Sequence, residues 1–523
     1  MPGFVEHCNR IVRWGLLALI VFTPLAFGTV EDWSIAIMEW GIVTLCLVFV
    51  AGRLWPAGQT RRRGIWRTGL EWSFGLFLLF CLVQTVPLPM AWLSIVSPGS
   101  ARLYSTPLPS PAASLGSLAP AVDSELDVQE TAGASAVRSR PVSLRPERTL
   151  QSARLTGVFM IVFLLVAWWA DRGERIIYLV TAITTVGFLV ALQGLLQFMT
   201  STGEILWLRR ASGDRGFGPF VNHNHFAGYV EMIIPLAIGL SLYLLDRRRH
   251  PPTPPRRGEE DLEDGELSST IGVQPLVGHR EKGFLSLFAA AILVVSLFFS
   301  MSRGGILSAL LSGIILLALL WKRMTSKRIA WAIVLCLPLL IVALLFWIGP
   351  DEMFEHIGDY DEGIGGEVSF RSRALLYWSI VRNVGEFAWT GTGLGTFEET
   401  FAPFNPHGTS ARWHRAHNDY LQLFWETGAI GICLFLIAGL VFARRYWWPA
   451  LRSRAHPLDV VRIGAAVSLM SIAAHSLVDF NLQVGSNGFL FALLAGLLAA
   501  LTRAIESPGY GHRLQVAARD EEA

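Results

Sequence analysis

Twelve apolar runs long enough to cross a bilayer punctuate this 523-residue sequence, near 14–30, 33–52, 72–91, 152–171, 175–198, 224–245, 284–301, 304–321, 330–348, 418–442, 459–479 and 486–502. A hydrocarbon core of about 30 Å takes a helix of about 17–25 such residues. No water reaches that core, so backbone amides and carbonyls must bond within the segment, and the helix is the conformation left to such runs. Composition agrees: 52% of the residues are hydrophobic and only 16% charged, where a soluble domain carries about 25% charged. The fold expected is an all-α polytopic membrane protein of about 12 transmembrane helices, with a large, partly helical loop between spans 9 and 10. A net charge of +2 gives no reason to expect a nucleic-acid partner.

The chain divides accordingly: spans 1–3 over 1–95, a low-complexity loop over 96–150, spans 4–9 over 151–348, a large loop over 349–416, spans 10–12 over 417–503, and a tail over 504–523. Short loops rich in Lys and Arg stay on the cytoplasmic side. Alternate loops carry Arg61, Arg62 and Arg63; Arg172 and Arg175; Arg247, Arg248 and Arg249; Lys322 and Arg323; and Arg444 and Arg445. The opposite short loops around 30–32 and 480–485 carry neither residue. Both termini are therefore expected in the cytoplasm. The first run has basic flanks, Arg10 and Arg13, but no small-x-small cleavage site, so it reads as a retained helix. Of the five cysteines, four fall in spans and Cys8 in the N-terminal tail, so no structural disulfide is expected.

The outside loops differ in character. The 96–150 loop is rich in Pro, Ser and Ala and reads as disordered in its middle. Its ends, PLPMAWL and RPERTLQSARL, read as membrane-surface segments. The 349–416 loop is acidic in its first half and basic in its second, and residues 370–384 show the period of an amphipathic helix with Leu376, Ile380 and Val384 on one stripe. The TGTGLGTF that follows is a Gly-rich turn suited to close backbone approach. Cations on the outside run against the positive-inside tendency and call for an anionic ligand.

Several cationic groups fall at the outer ends of the spans. Arg215 precedes span 6, Arg303 lies in the SRGG turn between spans 7 and 8, Arg371 and Arg373 lie on the loop helix, and Arg412, His414, Arg415 and His417 lead into span 10. Bare cations at that depth are costly unless they hold an anion or line a cavity. The planar guanidinium fork suits pyrophosphate, and an imidazole that titrates near neutrality suits proton removal from an attacking hydroxyl. Each residue has an ordinary structural alternative. Arg303 can snorkel, Arg215 can pair with Asp214, Arg371 and Arg373 can form a solvated face, and His417 can cap its helix or pair with Glu426. His223 and His225 stand two apart, so they do not share a helix face. They read as helix-start packing and not as metal ligands. The Asp359-x-Asp361 pair reads as a solvated acidic loop. No cofactor and no metal is expected. The acids within spans, Glu39, Glu231, Glu426 and Asp479, lie near span ends or alone, unlike a transporter relay.

With these pieces laid out in order, GPFVNHNHFAGYVEMIIPLA (218–237), SMSRGGILSALL (300–311), RSRALLYWSIVRN with GTGLGTFEETF (371–401), HNDYLQLFWETGAIG (417–431) and AHSLVDFNLQ (474–483), the chain resembles the O-antigen ligase and polymerase superfamily of bacterial membrane glycosyltransferases. The resemblance implies a multi-pass protein of the bacterial inner membrane with its site facing the periplasm. It implies a glycan donor on undecaprenyl pyrophosphate and metal-independent, inverting transfer. Carried over residue by residue, it places the family's essential His on His417 and its pyrophosphate-binding Arg residues on Arg303, Arg373 or Arg371, and Arg215. Arg412, Arg415 and Glu426 are supporting candidates. The partners implied are the lipid-linked glycan, a lipid A–core or growing-glycan acceptor, and membrane lipid. A ligase reading is favoured. A polymerase of O-antigen or exopolysaccharide is the alternative enzyme, and a lipid-linked oligosaccharide flippase the alternative of another class.

Overall fold

The computed structural model describes residues 3–55, 66–105, 139–200, 204–210, 216–246, 278–321, 370–406, 413–452 and 456–506. The protein is an all-α polytopic membrane protein. Its helices in chain order are α1 (Gly3–Leu25), α2 (Asp32–Leu54), α3 (Glu71–Val83), α4 (Met90–Val96), α5 (Pro98–Ser105), α6 (Pro146–Trp169), α7 (Gly173–Thr200), α8 (His223–Asp246), α9 (His279–Phe299), α10 (Arg303–Leu320), α11 (Phe370–Asn383), α12 (Phe397–Phe401), α13 (Asp419–Phe442), α14 (Trp448–Leu451), α15 (Asp459–His475) and α16 (Gly485–Glu506). Two short antiparallel pairs accompany them: β1 (Pro87–Pro89) with β2 (Ser139–Pro141), and β3 (Glu204–Ile205) with β4 (Arg209–Arg210).

Nine helices among the described residues are long and apolar enough to cross a membrane. They correspond to nine of the twelve runs in the sequence. The run 330–348 lies outside the described residues. The run 459–479 contains α15, which has 17 residues and stops at His475. The run 72–91 is corrected more fully, because α3 has only 13 residues. Gln84 leaves the helix at that point, and its side chain donates to Thr390 O at 2.7 Å and Glu426 O at 3.0 Å. Pro87 and Pro89 then hold the chain in β1. Residues 146–155 are the first turns of α6, which runs unbroken from Pro146 to Trp169.

The bundle is organised around α8 and α16. In their most apolar windows 78% and 83% of the residues are buried by protein, against 22% for the span that begins with α13. The first two helices are therefore central, and α13 faces lipid. Close packing of α8 on α15 uses missing side chains, since a Cβ on Gly464 would stand 2.6 Å from Pro235 O. Small residues at such crossings let backbones approach where apolar burial against lipid adds little. The expected apolar stripe of α11 is buried: Leu376 and Ile380 are fully covered, and Val384 follows in the next turn. They form a small core with Phe387, Phe397, Phe401 and Trp425, outside the main bundle.

Candidate active site

The site is built on the loop between α15 and α16, residues 476–484. Asn418 caps α13, its side chain accepting from Tyr420 N at 3.1 Å and Leu421 N at 2.9 Å. The Asn418 amide also donates to Leu477 O at 2.8 Å. Asp419 N donates to Ser476 O at 2.9 Å. The Asp419 carboxylate accepts from Ser476 Oγ (2.8 Å), Leu482 N (3.2 Å) and Gln483 Nε2 (3.1 Å). The start of α13 is thereby fastened to that loop by side-chain and main-chain bonds together.

His417 sits at the head of this junction. Its φ is +48°, a left-handed conformation that costs a non-glycine residue on the order of 1–3 kcal/mol and persists only where the surroundings impose it. They do so here through the Asn418 cap and through Tyr377 of α11, whose hydroxyl donates to His417 O. Burial pushes the Tyr377 hydroxyl up to about 12, although nearby Arg373 pulls the other way. Tyr377 therefore remains a donor at any physiological pH. The His417 ring keeps 17% of its surface and lies edge-on to Phe480 (centroids 5.0 Å apart), with Trp413 at 6.0 Å. Its Nδ1 is 3.5 Å from Oδ1 of buried Asp479, an ionic contact longer than a hydrogen bond. Phe480 N fixes the same oxygen at 2.8 Å. An acid on the Nδ1 side favours the tautomer that leaves Nε2 free to accept a proton.

Arg373 and the turn that carries Arg303 meet the same loop. Arg373 donates through Nη1 to Val478 O at 2.9 Å, and its buried Nε has no partner among the described residues. Arg303 opens α10 behind the Ser302 cap, whose hydroxyl accepts from Gly305 N at 3.3 Å. Arg303 is exposed and makes no hydrogen bond or ion pair among the described residues. Gly304 behind it lies against the loop: a Cβ there would stand 2.9 Å from His475 Nε2 and 3.0 Å from Val478 Cγ2. His475 is itself buried and bonded to Glu231 at 3.1 Å.

The remaining candidates are placed differently. Arg215 and Arg412 lie outside the described residues, as do Asp359 and Asp361. Arg371 belongs to the first turn of α11. His414 is exposed and paired with Glu398 at 2.9 Å. Arg415 is half-buried, and its charge reaches Glu426. Glu426 does not pair with His417. It is buried and accepts from Gly395 N (2.7 Å), Phe397 N (3.3 Å) and Gln422 Nε2 (2.9 Å). The Gly-rich turn thus closes on the protein's own backbone and carboxylate. No group of three or more His, Cys, Asp or Glu among the described residues is placed to hold a metal ion.

Residues 288–436 match a family model described as O-antigen ligase. That stretch is similar to the O-antigen ligase family. The similarity points to glycosyl transfer at a membrane in O-antigen assembly. The matched stretch includes Arg303, α11, the Gly-rich turn, His417 and Glu426, whereas the 476–484 loop and α8 lie beyond it. No match was found among curated proteins. Within the matched stretch the sequence points to cations. It did not single out Tyr377, Asp419, Asp479 or Phe480. For Asp479 a signal existed: it is the one charged residue of the 476–484 stretch and closes an apolar run.

Proposed function

We propose that the protein transfers a glycan from an undecaprenyl-pyrophosphate donor to an acceptor hydroxyl at the periplasmic face of the inner membrane, with lipid A–core as the acceptor. One observation carries this reading: His417 backed by Asp479 stands on the same loop that Arg373 and the Arg303 turn contact. A base and a guanidinium on one loop, with a second arginine on the turn beside it, suit transfer from a pyrophosphate-linked sugar.

The acceptor oxygen attacks the anomeric carbon as the bond to the pyrophosphate oxygen breaks, inverting the centre in one displacement. The hydroxyl proton passes to His417 Nε2, and the buried Asp479 carboxylate stabilises the imidazolium formed. Charge developing on the leaving pyrophosphate is met by Arg303 and Arg373, with Arg371 and Arg215 as further candidates from the family resemblance. Preorganised cations at a developing negative charge are commonly the largest single contribution to such a rate. No metal is needed for either role. The four acids that the sequence places in spans are each bonded to a fixed partner: Glu39 to Arg154 at 2.9 Å, Glu231 to His475, Glu426 to the Gly-rich turn and Asp479 to Phe480 N at 2.8 Å. This supports transfer over a transporter's titrating relay.

The test is the surface-glycan profile of a deletion strain, together with extraction of its lipid-linked intermediates. Long chains stranded on undecaprenyl pyrophosphate with bare lipid A–core support ligation. Core bearing a single repeat, or loss of a secreted polymer, makes the protein a polymerase instead. Complementation with Arg303→Ala is expected to leave long chains stranded, and Arg303→Lys to restore transfer only in part, because a point charge lacks the paired fork. Wild-type profiles from both variants would remove Arg303 from the site. Asp479→Asn is expected to lower the turnover number on the order of a hundredfold with the donor KM little changed. An increase in KM alone would mean that Asp479 serves binding and not the base.

A further inference from the structure

We infer that His225 is a positioning residue for the His417–Asp479 pair, an inference that rests on the transfer reading of that site. His225 lies in the first turn of α8 with 5% of its surface exposed. Neither ring nitrogen has a hydrogen-bond partner among the described residues. Buried polar atoms are seldom left in that state. A leucine or phenylalanine would fill the same space without desolvating two nitrogens. Packing alone does not account for an imidazole here.

The surroundings supply the reason. The His225 ring meets Phe480 edge-on with centroids 4.8 Å apart, and His417 meets the same ring edge-on at 5.0 Å. Phe480 is therefore wedged between two imidazoles. Its own amide holds the Asp479 oxygen that faces His417. The His225 ring and the Asp479 carboxylate interact electrostatically. The backbone at this point is tied to the same loop, since Asn487 Nδ2 donates to His225 O at 2.9 Å and to Asn481 Oδ1 at 3.0 Å. One turn on, a Cβ at Gly228 would stand 2.3 Å from Asn481 Oδ1, so α8 and the loop are in direct contact. His225 thus presents a polar ring to Asp479 from the buried side while blocking movement of Phe480. Both effects hold the carboxylate where it orients His417.

The experiment uses detergent-purified full-length protein and donor lipid extracted from the deletion strain. Wild type, His225→Leu, His225→Gln and His417→Asn are compared for thermal unfolding, turnover number and donor KM. His225→Leu is expected to unfold at or above the wild-type temperature, yet to turn over at least about tenfold more slowly with little change in KM, the pattern of an interaction realised in the transition state. His225→Gln, which keeps polar hydrogen-bonding atoms, is expected to recover part of the rate while being no more stable than the leucine variant. A purely structural role reverses that order, with leucine the more active of the two. That reversal, or wild-type turnover in His225→Leu, overturns the inference. Should the leucine variant fail to accumulate, His225→Met makes the same apolar comparison. Full turnover in His417→Asn would instead move the base away from His417 and remove the pair that His225 is inferred to position, so the two failures are separable.

Discussion

His417→Asn is expected to give a folded protein whose transfer rate falls by on the order of 10²–10⁴, the range that a positioned general base contributes. Asparagine is the informative replacement because it tolerates the left-handed backbone that His417 adopts at φ +48°. The bonds that fasten the junction survive the change. Tyr377 bonds the main-chain oxygen of His417, the Asn418 cap belongs to its neighbour, and Asp419 is bonded independently. The ring is partly open, so its loss leaves no closed cavity. Thermal unfolding should shift little while glycan transfer in membranes collapses. Transfer at the wild-type rate would show that His417 is a structural cap and move the base elsewhere. Loss of activity accompanied by equal loss of folded protein would place its contribution in the fold.

The second large effect belongs to the contact behind the site, where two glycines stand back to back. Gly391 has φ +69° and Gly428, within α13, has φ +60° with ψ −165°. A Cβ on Gly391 would stand 2.2 Å from the Glu426 carbonyl carbon, and one on Gly428 would stand 2.6 Å from Gly391 N. α13 is unwound at this level, and its backbone bonds the passing strand instead. Ala429 N donates to Ala388 O (2.7 Å), Ile430 N to Trp389 O (3.1 Å), Thr392 N to Trp425 O (3.1 Å) and Gly393 N to Glu426 O (2.9 Å). A broken helix is tolerated at membrane depth only where the freed groups find partners in this way. Gly391→Val therefore combines a forbidden φ, a backbone clash and loss of this pairing. A destabilisation above about 4 kcal/mol, in the exceptional range for one substitution, is expected. It should be read as failure to accumulate in membranes or a large fall in unfolding temperature. Gly385→Ala is the control: nothing lies within 4 Å of a Cβ there, and a change within about 0.5 kcal/mol is expected. Equal behaviour of the two variants would refute the packing argument.

What could be read from the sequence divides along physical lines. Spanning helices declare themselves through local composition, so the all-α polytopic fold was legible without coordinates. The buried face of α11 was legible for the same reason, since Leu376 and Ile380 recur at helical spacing. Long-range pairing leaves no such period. Asp479 reads as an isolated acid at the end of an apolar run, and only the fold brings it to His417. Glu426, two residues before its own helix opens at Gly428, reads as a possible partner for His417, yet it serves the Gly-rich turn. The run 72–91 reads as a span on apolar content alone, but the Gln84 amide satisfies two distant carbonyls where α3 ends. Of the candidate cations, Arg373 and His417 contact the 476–484 loop and the turn that carries Arg303 packs against it, while His414 is engaged by Glu398.

The flanks of the Pro- and Ser-rich segment have a bearing on how far its length can change. α5 ends at Ser105, and β2 begins at Ser139. The two are bonded to one another: Ser100 Oγ donates to Val142 O at 3.0 Å, Tyr104 OH to Ser143 O at 2.9 Å, and β1 pairs along β2. The chain therefore leaves and re-enters the fold at adjoining points. Each doubling of a segment that joins fixed ends costs only about 0.6 kcal/mol of closure entropy. The bonded points of exit and re-entry keep a change of length between 106 and 138 from straining the junction at His417, so that length can vary at little cost to the fold.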